Sequence, residues 1–121
     1  MTSHLPPPDT TPYGIALAEC VASKLEWGRC VTDHHRDFCG MGLWFIDGHY
    51  CYDESWDGQP PPLADMLKPN SRGGRVFTTR HEFVEWFAAQ SDHSLAGFEK
   101  DVWFHQNSTI TRARLRRELG C

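Results

Sequence analysis

The densest set of metal-binding residue types is Cys30-Val-Thr-Asp-His34-His35-Arg-Asp-Phe-Cys39, with His49 and Cys51 a little further on. Thiolate and imidazole are the ligands that zinc prefers, four at a time in a tetrahedron. His49 and Cys51 stand two residues apart, so on a strand they would share one face. The spacing argues against a zinc site, because no Cys-x-x-Cys pair occurs and Cys30 and Cys39 are separated by eight residues. Cysteine serves more often as a small apolar core residue. No metal or cofactor is therefore expected. A zinc-binding regulatory or enzymatic domain built on Cys30, His34, Cys39, His49 and Cys51 is the alternative reading.

The same residues could instead make a nucleophile, with Cys39 or Cys51 activated by His34, His35 or His49. That chemistry needs hydrogen-bond reach, a depressed thiol pKa and an oxyanion site. Cys39-Gly40-Met41-Gly42 could lend backbone amides, but glycine beside a strand more often serves conformation. No third, orienting residue is identifiable, and the expectation is that the protein is not an enzyme.

Acidic residues form a third set: Asp47, Asp53, Glu54 and Asp57. Paired carboxylates can act as acid and base or hold a hard cation. Asp53-x-Ser55-x-Asp57-Gly58 starts like a calcium loop, but Ala64 stands where the bidentate glutamate belongs. These acids read better as a solvated rim around Tyr52 and Trp56. Acidic charge around aromatic side chains is what docking to a basic protein requires: the rings supply buried area, and the charges speed and orient encounter.

Arg112, Arg114, Arg116 and Arg117 are the fourth set. Single-strand binders pair such charge with exposed stacking aromatics, and the nearest here, Trp103 and Phe104, suit a core strand. Cations near a helix C-terminus also suit the helix dipole. Nucleic acid is disfavoured as a partner. Gly73-Gly74 lacks the Lys-Ser/Thr of a phosphate loop.

The elements that carry these residues follow from composition and periodicity. The 121 residues are 40% hydrophobic and 12% aromatic, and suffice for one core without metal or disulfide. A net charge of -4 excludes an even basic coat. Residues 1–60 hold three Lys/Arg against nine Asp/Glu, and residues 61–121 hold nine against seven. No signal-peptide pattern opens the sequence and no membrane-length apolar run occurs. The five cysteines, an odd number, are expected as reduced thiols in a cytoplasmic protein, with Cys121 exposed.

Residues 1–11 read as a flexible lead-in and 12–121 as a single domain. A first helix is expected from Pro12, capped by Thr11, with Tyr13, Leu17, Val21 and Leu25 as its apolar stripe and Gly28 as its stop. Residues 43–46 and 49–52 flank Asp47-Gly48, a type I′ hairpin signal. Trp44 and Ile46 would face one side of this hairpin, and Leu43 and Phe45 the other. Residues 53–62 read as an acidic loop stiffened by prolines, and 63–67 as a helical turn. A third strand is expected at 75–78 and a fourth at 102–104. Thr79-x-x-Glu82 is a capping box for a second helix with Phe83, Trp86, Phe87 and Gln90 inward. Residues 91–98 break that pattern, and a last helix spans about 111–119 before Gly120. The fold class is α+β: a small, mostly antiparallel sheet against about three helices.

Gly42-Leu-Trp-Phe-Ile-Asp-Gly-His-Tyr, the acidic loop, Gly74-Arg-Val-Phe-Thr-Thr and Glu82-Phe-Val-Glu-Trp-Phe-Ala-Ala-Gln-Ser-Asp together resemble small bacterial immunity proteins in size and residue texture. That resemblance, over roughly residues 40–119, implies a non-catalytic inhibitor that masks the active site of a cognate toxin. The partner-binding residues expected are Asp47, Tyr52, Asp53, Glu54, Trp56 and Asp57.

Overall fold

A computed structural model of the chain describes residues 9–32, 40–55, 58–68, 74–95 and 110–121. The helices are α1 (Ile15–Glu26), α2 (Leu63–Met66), α3 (Arg80–Ala88), α4 (Asp92–Leu95) and α5 (Arg112–Leu119). The strands are β1 (Gly40–Ile46), β2 (His49–Ser55) and β3 (Arg75–Phe77). They form an antiparallel sheet in the order β1-β2-β3, so the α+β class holds. The expected strand at 102–104 lies outside the described residues.

The hairpin turn forms as its chemistry requires, with φ of 49° at Asp47 and 79° at Gly48. Its arms run three residues longer than expected at each end, pairing Gly40 with Ser55, Met41 with Glu54 and Gly42 with Asp53. Asp53, Glu54 and Ser55 therefore belong to a strand and not to the acidic loop. Residues 58–68 carry the prolines and the short α2, as anticipated.

One face of the hairpin carries Leu43, Phe45, Tyr50 and Tyr52 into the core with the helices. The aromatic face of α3 meets it: Phe83 stacks on Tyr50 at 5.3 Å between ring centroids, and Trp86 lies 5.3 Å from Tyr52 and 5.2 Å from Phe77. Offset and tilted rings at these separations add attraction beyond the area they bury. Helix α1 completes the layer through buried Ala18, Val21, Ala22 and Leu25. Of the expected stripe, Val21 and Leu25 are buried in the helix, Leu17 is half-buried, and Tyr13 is buried just before the helix begins.

Helix α1 starts three residues later than Pro12. The Tyr13 amide donates to the Gln90 carbonyl at 2.8 Å and the Gly14 amide to Ala88 at 3.0 Å, so this stretch is tied to the end of α3. Gly14, at φ 87°, then turns the chain into the helix, and Thr11 caps nothing in it. Residues 9–11 are likewise not a free lead-in: the His93 amide donates to Asp9, whose carboxylate accepts from the Thr11 amide and hydroxyl. Within 91–98, where no helix was anticipated, reciprocal Ser91 and Ser94 hydroxyl bonds to each other's amides shape the single turn α4. The Thr79 cap on α3 forms, with its hydroxyl accepting from the Glu82 amide at 3.2 Å. Thr111 caps α5 in the same way, and Gly120 ends it in the left-handed conformation.

Two of the five cysteines are joined. Cys20 on α1 and Cys121 beyond α5 form a disulfide with their Cα atoms 6.0 Å apart. This overturns the expectation of five reduced thiols and of an exposed thiol at Cys121. The pairing spans 101 residues, a separation at which sequence spacing carries no signal.

Candidate functional site

The hairpin positions the residues expected to bind a partner, and strand alternation divides them. Asp47 is exposed at the tip of the turn. Tyr52 faces the helices, 6% exposed beneath Trp86. Asp53 faces the opposite way and is fully buried. Glu54 is half-buried, and Trp56 and Asp57 lie outside the described residues. The solvated rim imagined around Tyr52 therefore does not include Asp53. Extending β2 to Ser55 puts Asp53 and Glu54 on opposite faces of the sheet, burying the first and leaving the second half-exposed.

The face that holds Asp53 forms a second buried layer. Trp44, Cys51, Asp53 and Ser55 line it, each at most 7% exposed. Thr32, brought alongside by the bridge between Val31 and Leu43, shares a hydrogen bond between its hydroxyl and that of Ser55. The Asp53 carboxylate accepts from the Glu54 amide at 2.7 Å. A Cβ on Gly74 would sit 2.5 Å from the Asp53 Oδ2, so a side chain there would displace the buried carboxylate. Burying a carboxylate is tolerated only where hydrogen bonds and neighbours compensate it. Sequence reasoning took this polar row for solvent-facing. The signal it missed is across the hairpin, where Gly42 opposes Asp53 and its lack of a Cβ lets the Trp44 ring lie over that face.

The sulfur chemistry is equally constrained. Burial, with the Asp53 carboxylate adding to it, pushes the Cys51 thiol up to about 11. At neutral pH roughly one in ten thousand such groups would be thiolate, which does not suit a nucleophile. The Cys51 thiol donates to the His49 carbonyl, and His49 Nδ1 lies 2.8 Å from the Asp47 carbonyl. Cys30 is exposed, and its thiol is also raised, first by partial desolvation and then by Glu118. His34, His35 and Cys39 lie outside the described residues. Among the described residues no group of three or more His, Cys, Asp or Glu side chains could hold a metal.

The arginines of α5 are partly committed to structure. Arg114 donates to Glu118 at 2.9 Å and to the Thr32 carbonyl at 3.0 Å, and Arg112 lies over the Tyr13 ring while donating to the Thr11 and Pro12 carbonyls. Arg116 and Arg117 are exposed.

A further polar centre was not anticipated. Arg80, the first residue of α3, reaches Glu19, Ser23 and Glu26 on one face of α1, and the Tyr50 hydroxyl also donates to Glu26. The signal was present: Glu19, Ser23 and Glu26, at i, i+4 and i+7, form a polar stripe beside the apolar one. The Tyr50 hydroxyl is pushed up to about 12 by burial, and then by its bond to the Glu26 carboxylate.

Compared with protein-family models, curated proteins and solved structures, the chain matches none of them. No helix among the described residues is long and apolar enough to cross a membrane.

Proposed function

We propose that the protein is a non-catalytic binding module, an immunity-type inhibitor that neutralises a cognate bacterial toxin by docking on it. The observation that carries this reading is Asp47, an exposed carboxylate at the tip of a hairpin whose arms pack one face into the core. Charge placed on an ordered scaffold orients an encounter without an ordering cost on binding. The net charge of -6 over residues 1–60 supports a basic partner surface, such as the substrate groove of a nuclease toxin. The residues proposed to meet the partner are Asp47 at the turn and Glu54 at the other end of β2, together with Trp56 and Asp57, which lie outside the described residues. Tyr52 and Asp53 are buried and are left out of that contact set.

The cytoplasmic placement rested on reduced cysteines. The Cys20–Cys121 disulfide supports an oxidising compartment instead, the periplasm or the cell exterior.

Affinity capture with the tagged full-length chain, followed by mass spectrometry of what is retained, tests the reading. The expected result is one stoichiometric basic protein, retained at low salt and weakened by added salt and by Trp56→Ala. An acidic partner, or one whose binding ignores both salt and Trp56→Ala, would overturn it.

A further inference from the structure

We propose that the Cys20–Cys121 bond is a redox-operated clasp on helix α5: oxidised, it holds that helix against α1, and reduced, it lets α5 detach while the sheet and the α1–α3 layer stay folded.

Three features converge on this. First, α5 is eight residues long and buries only Leu115 and Leu119 of its own side chains. A helix of that length does not persist in water without tertiary support. Second, the start of α5 is tied by the Arg112 amide to Asp92 and by its guanidinium to the Thr11 and Pro12 carbonyls. Towards its end Arg29 Nη2 donates to the Glu118 carbonyl and Arg114 Nη2 to the Thr32 carbonyl, so the disulfide is the covalent link at that end. The remaining layer has its own support, in the aromatic stack of Tyr50, Phe83 and Phe87 and the Arg80 centre, neither of which includes α5. Third, Cys20 and Cys121 are both half-exposed, so a small dithiol can reach the bond. The thiols of Cys30 and Cys51 are both raised, so neither attacks the bond from within at neutral pH.

The step needs an external dithiol, small or protein-borne. Its thiolate attacks one sulfur and the other leaves, taking up a proton. The second thiol of the reductant, as its thiolate, then attacks its own sulfur in the mixed disulfide and expels the remaining cysteine as a thiolate, which also takes up a proton. Two electrons and two protons pass to Cys20 and Cys121, and the reductant departs as a disulfide.

Hydrogen exchange on the full chain, before and after dithiothreitol, tests the clasp, with alkylation and mass spectrometry reporting the state of Cys20 and Cys121. Protection over Leu115–Leu119 is expected to fall at least about tenfold, while residues 83–88 and 21–25 keep theirs. Reoxidation should restore it, and Cys121→Ser should behave as the reduced protein without any reductant. Unchanged protection in α5 after full cleavage would overturn the proposal. So would loss of protection everywhere, which would make the bond a global staple, or recovery of Cys20 and Cys121 as free thiols after oxidative refolding.

Discussion

Arg80 holds both carboxylate oxygens of Glu26 from one guanidinium nitrogen, at 2.8 Å each, and so pins the start of α3 to the end of α1. Its Nε reaches Glu19 at 2.9 Å and its other terminal nitrogen reaches Ser23 at 2.8 Å. With the Glu19 carbonyl it meets five acceptors, and an ammonium group cannot copy such a planar fork. Arg80→Ala should cost about 1–2 kcal/mol in urea unfolding, above the usual value of an exposed pair because several charges form one network. Arg80→Lys should recover less than half of that. A lysine variant as stable as wild type would show that only the charge matters.

Gly42 sits where a Cβ would lie 2.5 Å from the Trp44 ring and 2.9 Å from the Val31 carbonyl. The backbone atom cannot yield without breaking the bridge between Val31 and Leu43. Gly42→Ala should therefore destabilise by about 1–3 kcal/mol, as overpacking does elsewhere. Gly48→Ala, at φ 79° but in open space, tests strain without collision. It should cost about 1–2 kcal/mol and leave the Trp44 fluorescence environment unchanged.

Tyr50 is raised to about 12, from an ordinary value of 10.0, by burial and by Glu26. Burial raises Tyr13 and Tyr52 in the same direction. A raised pKa means that the folded protein keeps a proton the unfolded chain has lost. Stability from these hydroxyls is thus complete below about pH 10 and declines as pH rises towards 12. Unfolding followed across that range should show the decline, and Tyr50→Phe should make it shallower. An identical slope in the variant would remove Tyr50 from the account.

How far the sequence alone reached depended on the range of the interactions involved. The turn at Asp47-Gly48, the Thr79 cap and the stop at Gly120 are local, and each formed where the sequence places it; Thr111, expected as the start of the last helix, is its cap. The apolar stripes of α1 and α3 were legible because their partner is simply the core. The start of α1 was misread because Pro12 is a good first helical residue in isolation, while the bonds from Tyr13 and Gly14 to the end of α3 are long-range. Asp53 was misread for a related reason. A carboxylate among other acids looks solvated until Gly42 and Gly74 are brought against it. The Cys20–Cys121 bond depends on the fold having already placed α5 on α1.

The docking reading is tested most directly by the association rate of the captured partner with an edge-neutralised variant. Asp47→Asn with Glu54→Gln removes two charges and keeps a turn residue that accepts positive φ. At low ionic strength the account predicts association slowed about threefold to tenfold, with the dissociation rate nearly unchanged and the difference vanishing at high salt. Arg116→Glu, on exposed α5, should not slow association. A double variant that associates as fast as wild type at low salt would contradict the account.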